Sequence, residues 1–278
     1  MRTPPHPMWS DVDVAVPGPS ARLPGVSMAG FRQRVSTPVE ITMIPHPSVT
    51  IIVDVSETGD IVHDTDGRRR RGSFAAGLLP GRLDTGGSSG ECLQLRLSPV
   101  VAATVLDSSP DLTGTVAPLR DVWGPDTEQL EERLRAATSW NDRFAIAADL
   151  LRHRLDTRPP VDPEVAHIWR RTVTSRGRLR VDRMAAEVGW SRKRLWSRSR
   201  SQLGITPKRA AQLARFDHAA HLLAAGHSPA TVAARSGYVD QPHLHREVKA
   251  VTGSTPTAVS SAPWLAIDDV AWPTYPRT

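Results

Sequence analysis

The chain has 278 residues, of which 39% are hydrophobic, so it can bury a substantial core and has room for two domains. It has no run of 18 or more apolar residues, which excludes a membrane-spanning helix. Cys92 is the only cysteine, which excludes an internal disulfide and a multi-thiolate metal site. The net charge is +6, but residues 161–260 hold 17 Lys and Arg against 7 Asp and Glu. This segregated positive charge is typical of a protein that binds a polyanion.

The first half of the chain carries β-type patterns followed by helical ones. Residues 1–30 are rich in Pro, Ser and Gly without periodicity, and we predict that they are disordered. Glu91 to Leu97 alternates polar and apolar residues, as a half-buried strand does. Two amphipathic helices are predicted after Asp126. The prolines of residues 158–163 indicate a linker, because proline cannot continue a helix.

The second half contains an internal repeat. The sequence Gly-x-Thr-Pro occurs at Gly204 and again at Gly253, 49 residues later. A glycine followed by an aromatic residue precedes each copy, at Gly189 and Gly237, 48 residues apart. The second copy therefore has one residue inserted after the aromatic. A repeat of this size indicates two copies of one small motif.

Each copy reads as a short helix, a turn that contains glycine, and a second helix. An alanine four residues before the glycine allows close helix approach, and glycine can adopt a positive φ in the turn. This order is the helix-turn-helix pattern. Thr206 and Pro207 are typical of the start of a connecting helix. The residues predicted to hold the two units together are Ala185, Gly189, Leu195, Ala233, Gly237 and Leu244.

These residues resemble the DNA-binding domain of the AraC/XylS family of bacterial transcription regulators. The resemblance rests on Ala185-x-x-x-Gly189-Trp190-Ser191, Gly204-Ile205-Thr206-Pro207, Ala233-x-x-x-Gly237-Tyr238, His243-Leu244, Arg246 and Gly253-Ser254-Thr255-Pro256. It implies an α+β chain with a small β-barrel-like regulatory domain and trailing helices at 31–157. A domain of two helix-turn-helix units joined by a long helix would follow at 164–260, with a tail at 261–278. Ser197 and Ser199 depart from the family, which usually has arginine and phenylalanine there.

The resemblance also implies which side chains read DNA. Arginine can bind guanine and glutamine can bind adenine through paired hydrogen bonds. Trp196 could contact a thymine methyl or fill the core space left by Ser199. The predicted base-reading residues are Arg192, Lys193, Trp196, Ser197, Gln241, His243, His245 and Arg246. The predicted phosphate contacts are Arg194, Arg198, Arg200, Lys208 and Arg209.

The implied function is sequence-specific binding of double-stranded DNA by a cytoplasmic transcription regulator. The N-terminal domain would bind a small-molecule effector, form a homodimer, or both, and RNA polymerase is a further partner if the protein activates transcription. The alternatives are a domain that only dimerises and, in another class, an enzyme tethered to DNA. We expect no enzyme activity, cofactor, metal or membrane partner. His243 and His245 are two residues apart and point in different directions on a helix, so they cannot share a metal.

Overall fold

A computed structural model of the chain describes residues 9–34, 39–56, 61–65, 68–78, 83–87, 90–106, 109–261, 265 and 267–272. Strands occupy the first part and helices the second, which confirms the predicted α+β class. Within the described residues, ten strands form two antiparallel sheets. These strands are β1 (Val12–Ala15), β2 (Val26–Gln33), β3 (Val39–Met43), β4 (Val49–Asp54), β5 (Val62–Thr65), β6 (Arg68–Arg71), β7 (Phe74–Ala76), β8 (Leu83–Gly87), β9 (Glu91–Leu97) and β10 (Val116–Pro118).

The two sheets lie on either side of a cavity. The six-stranded sheet has the order β1-β2-β9-β4-β7-β10, and the four-stranded sheet has the order β3-β8-β5-β6. Residues of both sheets line the cavity between them. The sheets do not join into a closed barrel in the part of the chain described, so the expected barrel is corrected to two separate sheets.

Strand β9 crosses the centre of the larger sheet and pairs with both β2 and β4. Its alternation is the one that the sequence predicts: Leu93, Leu95 and Leu97 are buried in the main hydrophobic core. Its other face is also covered, because Cys92, Gln94 and Arg96 line the cavity between the sheets. The polar side of this strand therefore faces the interior of the N-terminal part and not the solvent.

The predicted disorder of residues 1–30 is wrong for the residues described from position 9 onward. Strand β1 pairs with the end of β2, in the register Val12 with Gln33 and Ala15 with Gly30. Val12 and Val14 are buried on one face of the sheet. The alternation of buried and partly buried residues covers only four positions among prolines and glycines, so the sequence alone does not indicate this strand.

Helices follow the sheets. In the N-terminal part they are α1 (Pro99–Val105), α2 (Leu119–Trp123), α3 (Asp126–Ala136) and α4 (Trp140–Thr157). In the C-terminal part they are α5 (Pro163–Thr174), α6 (Val181–Glu187), α7 (Arg192–Leu203), α8 (Pro207–Ala224), α9 (Pro229–Ser236), α10 (Gln241–Thr252) and α11 (Pro256–Ser260). Among the described residues no helix is long and apolar enough to cross a membrane.

The hydrophobic core does not divide at the predicted linker. One cluster of buried residues extends from the larger sheet through the N-terminal helices into α5, α6 and α7 and ends at Ala210. A second cluster, whose first member on α8 is Phe216, holds α8, α9 and α10 together and also includes Ile44, which follows β3. Residues 158–163 are packed, since Val161 is buried and Arg198 donates two hydrogen bonds of 2.7 Å to the Asp162 carboxylate.

Residues 265 and 267–272, here called the C-terminal segment, pack between the two parts of the molecule. Leu265 belongs to the core of the second helical cluster. The short helix α12 (Asp268–Ala271) and Trp272 lie against the larger sheet, where they are buried with Trp9 and Ala29. The segment therefore contacts both the sheet and the helices that follow it.

Candidate nucleic-acid interface

The two repeated units have the same backbone geometry. In the first unit, Gly189 has a φ of +67°, and the N–H of Trp190 donates to the carbonyl of Ala185 at 2.9 Å. In the second unit, Gly237 has a φ of +75°, and the N–H of Tyr238 donates to the carbonyl of Ala233 at 3.0 Å. The positive φ explains the glycine at each turn, because residues with a Cβ rarely adopt it.

Both units bury the small and branched residues that the sequence places at their centres. Ala185 and Leu195 are buried between α6 and α7, and Ala233 and Leu244 are buried between α9 and α10. An alanine at these sites lets the two helices of a unit approach closely, while a leucine of the second helix fills the space beside it. Each unit thus presents its second helix on a fixed support.

Side chains cap the N-termini of both second helices. Ser191 Oγ accepts from the N–H of Arg194 at 3.2 Å, and Asp240 Oδ1 accepts from the N–H of His243 at 2.7 Å. The inserted residue of the second unit is Val239, which stands directly before this cap and is 88% exposed. The first turns of α7 and α10 are therefore well defined, as base-reading helices require.

The predicted reading residues of α7 are all exposed. Arg192, Lys193, Trp196 and Ser197 point away from the core, and Trp196 is 51% exposed. Trp196 therefore does not fill the core, whereas Ser199 is buried with 4% exposure. The Trp196 ring instead lies under the guanidinium of Arg200, whose Cζ is 5.8 Å from the ring centroid.

The predicted reading residues of α10 are exposed to different degrees. Gln241 and Arg246 are exposed, and His243 and His245 are partly exposed. Gln241 Nε2 lies 3.4 Å from His245 Nε2, so these two side chains share one surface of the first turns. The ring of His243 meets the ring of Tyr238 edge to face at 5.3 Å between centroids.

The predicted phosphate contacts fall into two groups. Arg198 is held by Asp162 at the start of α5, and the hydrogen bonds from Arg198 are the main reason that the pKa of Asp162 is lowered. Arg194 covers the ring of Trp190, with its Cζ 4.5 Å from the ring centroid, but is itself exposed. Lys208 and Arg209 are exposed in the first turn of α8.

Arg215, Glu247 and Tyr238 form a buried network that the sequence reading did not single out. Arg215 Nη2 of α8 donates to Glu247 Oε2 of α10 at 2.9 Å, and the Tyr238 hydroxyl donates to Glu247 Oε1 at 2.7 Å. Burial and the Glu247 charge raise the pKa of Tyr238, so the phenol stays protonated. The network fixes α10 against α8. The sequence does carry one signal for this network, because Arg215 is a charged residue on the apolar face of α8.

Two cavities lie outside the helix-turn-helix units. The first, of about 110 Å³, separates the two sheets, and the C-terminal segment forms one of its walls. The second, of about 770 Å³, is a groove between β2, α1 and α5, and Arg22, Arg96 and Arg170 are the charged residues of its described lining. No group of three or more His, Cys, Asp or Glu suited to a metal ion occurs among the residues that the structure describes.

Comparison with known proteins gives one family match. Residues 184–262 match the family described as "Helix-turn-helix domain", a range that begins within α6 and continues through α7, α8 and the second unit. No curated protein matches the chain.

Several solved structures are similar to this chain at low sequence identity and with TM-scores below 0.5. The structure of ToxT from Vibrio cholerae O395 is 10% identical, with a TM-score of 0.47 and coverage of 87% of this chain and 98% of that chain. A ToxT structure from Vibrio cholerae strain SCE256 with bound unsaturated fatty acid is 9% identical, with a TM-score of 0.45 and coverage of 86% and 96%. The AraC-like transcriptional activator CuxR is 16% identical, with a TM-score of 0.26 and coverage of 70% and 82%.

The family match coincides with the two units whose geometry is described above. Residues 184–262 contain the second unit and all but the first turn of α6 in the first, and both units present a capped helix with exposed polar side chains. A sheet-rich N-terminal part precedes them. The chain therefore contains a helix-turn-helix domain, at residues 184–262, behind this N-terminal part.

Proposed function

We propose that the protein reads two successive major grooves of double-stranded DNA, with α7 in one and α10 in the next. The observation that carries this proposal is the pair of equivalent units joined by one continuous helix. At 1.5 Å per residue, the 18 residues of α8 span about 27 Å. This length is comparable with the spacing of about 34 Å between successive major grooves on one side of a duplex.

The proposed base contacts follow from the side chains that the two helices expose. On α7 they are Arg192, Lys193, Trp196 and Ser197, and on α10 they are Gln241, His243, His245 and Arg246. Arginine and glutamine would bind guanine and adenine edges, respectively, and the exposed Trp196 ring suits a thymine methyl.

The proposed phosphate contacts supply affinity without sequence preference. They are Arg194, Arg200, Lys208 and Arg209, all of which are exposed. Arg198 is assigned to another role because both of its bonds to Asp162 orient α7 relative to the start of α5. Neutralising one of the phosphate-binding residues should lower the affinity for all sequences alike.

We also propose that the N-terminal part modulates DNA binding. The support is the shared core, which joins the larger sheet to the first helix-turn-helix unit without a flexible break. A change in the packing of the sheets would therefore reach α7 directly. A homodimer formed by the N-terminal part is the alternative, and sedimentation of the protein with and without DNA separates the two.

Selection of the purified protein on a random duplex library, at a stated salt concentration, tests the reading of two grooves. We expect enrichment of a site with two short blocks whose centres lie about 10 base pairs apart. An arginine-to-alanine change on α10 should relax only one of these blocks. A single enriched block in the wild-type protein would contradict the proposal, because it would mean that one unit does not read DNA.

A further inference from the structure

The loop of residues 175–180, between α5 and α6, concentrates positive charge to which the proposed function gives no role. It holds Arg176, Arg178 and Arg180 and no acidic residue. Arg180 is balanced, because its Nε donates to the Asp182 carboxylate at 3.1 Å. Arg176 and Arg178 form no ion pair with any residue that the structure describes. Two of the three loop charges are therefore available to a bound anion.

Close packing fixes this loop on α8. A Cβ at Gly177 would overlap the carbonyl oxygen of Ala211, so the loop backbone lies directly against the helix. Arg176 has a φ of +56°, a left-handed conformation that residues with a Cβ rarely adopt. Its Nη1 donates to His218 Nε2 of α8 at 3.3 Å. A strained residue of this kind persists only where its surroundings hold it, so the Arg176 guanidinium has a defined position.

The second helix-turn-helix unit brings a third arginine to the same place. The Cγ and Cδ atoms of Arg178 lie 3.4 and 3.5 Å from the position that a Cβ at Gly237 would take. Arg235 is exposed on the last turn of α9, just before this glycine, and its Nη1 donates to His227 Nε2 at 3.2 Å. It forms no ion pair among the described residues either. The loop that leads into the first unit therefore meets the turn of the second unit, with an arginine on each side.

The three arginines act together on one side chain, the imidazole of His218. Burial is the main reason that the pKa of His218 falls to about 4. The charges of Arg176, Arg178 and Arg235 lower this pKa further, because each of them lies close to the ring. The ring is therefore neutral at physiological pH and can accept the hydrogen bond from Arg176. Three guanidinium groups from two units thus lie around an uncharged ring.

Phosphate is the anion that suits this cluster. Guanidinium groups that lie close together repel one another, and a bound anion offsets the repulsion. Each guanidinium has five N–H donors in one plane, which match two phosphate oxygens at once. Among the described residues, each of the three side chains uses one of these donors. Most donors of the cluster therefore remain available to phosphate oxygens.

The cluster lies beside the end of α10 that would face DNA. Gly237, which Arg178 contacts, directly precedes the turn into α10, and the proposed base-reading residues occupy the first turns of that helix. A duplex read by α7 in one groove and by α10 in the next would pass the region between the units, where neither helix covers its backbone. The DNA backbone between the two blocks is therefore the nearest source of phosphate.

We propose that Arg176, Arg178 and Arg235 form a phosphate-binding site between the two helix-turn-helix units, which holds the DNA backbone between the blocks that α7 and α10 read. The inference rests on the proposed function, which supplies the duplex. A free phosphate compound presents the same oxygens, and experiment separates the two sources.

Ethylation interference on the selected DNA site tests the position of this contact. Each phosphate is ethylated in turn, and binding of the full-length protein is measured. We expect ethylation of phosphates between the blocks to weaken binding of the wild type, but not of the double variant Arg178→Gln with Arg235→Gln. Both replaced side chains are exposed, so the variant should keep its fold. Arg180→Gln is the matched control from the same loop and should keep the wild-type pattern, because Asp182 already balances that charge.

The salt dependence of DNA affinity gives the size of the contribution. The logarithm of the binding constant falls with the logarithm of the salt concentration by about 0.9 per phosphate contact. We expect the double variant to lower this slope by about 0.9 and to keep the base preference in both blocks. An unchanged slope would show that the cluster makes no phosphate contact, and an equal loss in Arg180→Gln would reduce its effect to general charge. Either result would overturn the inference.

Inorganic phosphate, added to the full-length protein without DNA, separates the two phosphate sources. We expect it to shift the NMR signals of the Arg176 side chain in the wild type but not in the double variant. Such a shift without ethylation interference between the blocks would overturn the DNA assignment and point to a free phosphate compound. Absence of both effects would overturn the site itself. If the wild type binds no DNA site selectively, the proposed function fails, and the phosphate titration alone decides whether the site exists.

Discussion

Removing the Glu247 carboxylate should uncouple α10 from α8. In Glu247→Ala, the guanidinium of Arg215 keeps its largely buried position over the Tyr238 ring, 4.9 Å from the ring centroid, but loses its ion-pair partner. The Tyr238 hydroxyl loses its acceptor as well. Helix α10, which we propose reads the second block, would then lack its polar attachment to α8.

The expected loss of stability follows from the burial of the Arg215–Glu247 pair. The side chains of Arg215 and Glu247 are 19% and 12% exposed, so solvent screens the pair only weakly. Removing one partner of a buried pair costs about 3–5 kcal/mol, mostly because the remaining charge is left uncompensated. Arg215→Ala combined with Glu247→Ala removes both charges, so the double variant should be more stable than the sum of the single changes predicts.

Denaturant unfolding followed by far-ultraviolet circular dichroism gives the stability of the wild type, both single variants and the double variant. Selection on random duplexes at a permissive temperature gives the base preference of each. We expect Glu247→Ala to lose preference in one block only, that read by α10. Additive losses of stability, or an unchanged preference in both blocks, would refute the reasoning.

Three further changes test other parts of the structure. Arg246→Ala should cost about 1–3 kcal/mol on the selected site and relax one base position, as measured by competition among single-base variants of the site. Gly204→Ala should destabilise the protein more than Gly253→Ala in thermal unfolding, because both glycines have a φ near +70° but only a Cβ at Gly204 would press against the carbonyl oxygen of Pro110. Stability should decrease as the pH rises above about 6.5, because Asp268 and Asp217 raise the pKa of folded His221 against the opposing effect of burial.

The controls for these three changes come from the same chain. Arg209→Ala, on an exposed phosphate contact, should weaken binding to all sequences alike, and equal behaviour of Arg246→Ala would remove Arg246 from the reading set. Equal destabilisation by the two glycine variants would contradict the close approach to Pro110. For the pH effect, His221→Gln should lose the decrease on the alkaline side. His46 lies near the same groups, but burial and the Arg96 charge lower its pKa to about 3, so it does not titrate in this range.

Local signals in the sequence were sufficient to predict the helix-turn-helix units. A glycine with positive φ, a capping Ser191 or Asp240 and a Thr-Pro helix start each act over a few residues, and the structure has helices α7 and α10 at the bounds they indicate. The strand at Glu91–Leu97 was predicted for the same reason, because its alternation is complete within seven residues.

Contacts between distant parts of the chain could not be predicted in this way. Arg96 and Asp268 are 172 residues apart, and nothing in either neighbourhood indicates that they meet. Whether the sheets close into a barrel depends on which strand edges pair. The alternation of residues along a strand indicates which face is buried, but it does not indicate which strands pair at their edges. Ser199 marks a position where the resembled family usually has phenylalanine, but it does not indicate that the nearby Trp196 stays on the surface.

The division of the buried core has a consequence for how the protein unfolds. Along α8, Ala210 is the last member of one cluster and Phe216 is the first member of the other, so the border between cooperative units falls within α8 rather than at residues 158–163. Helix α7 should share the slow amide exchange of the larger sheet, while α10 should exchange together with the second cluster, to which Ile44 and Leu265 also belong. A fragment cut at residue 164 would uncover the side of α7 that now packs against α1, and so would lose solubility before it lost its fold.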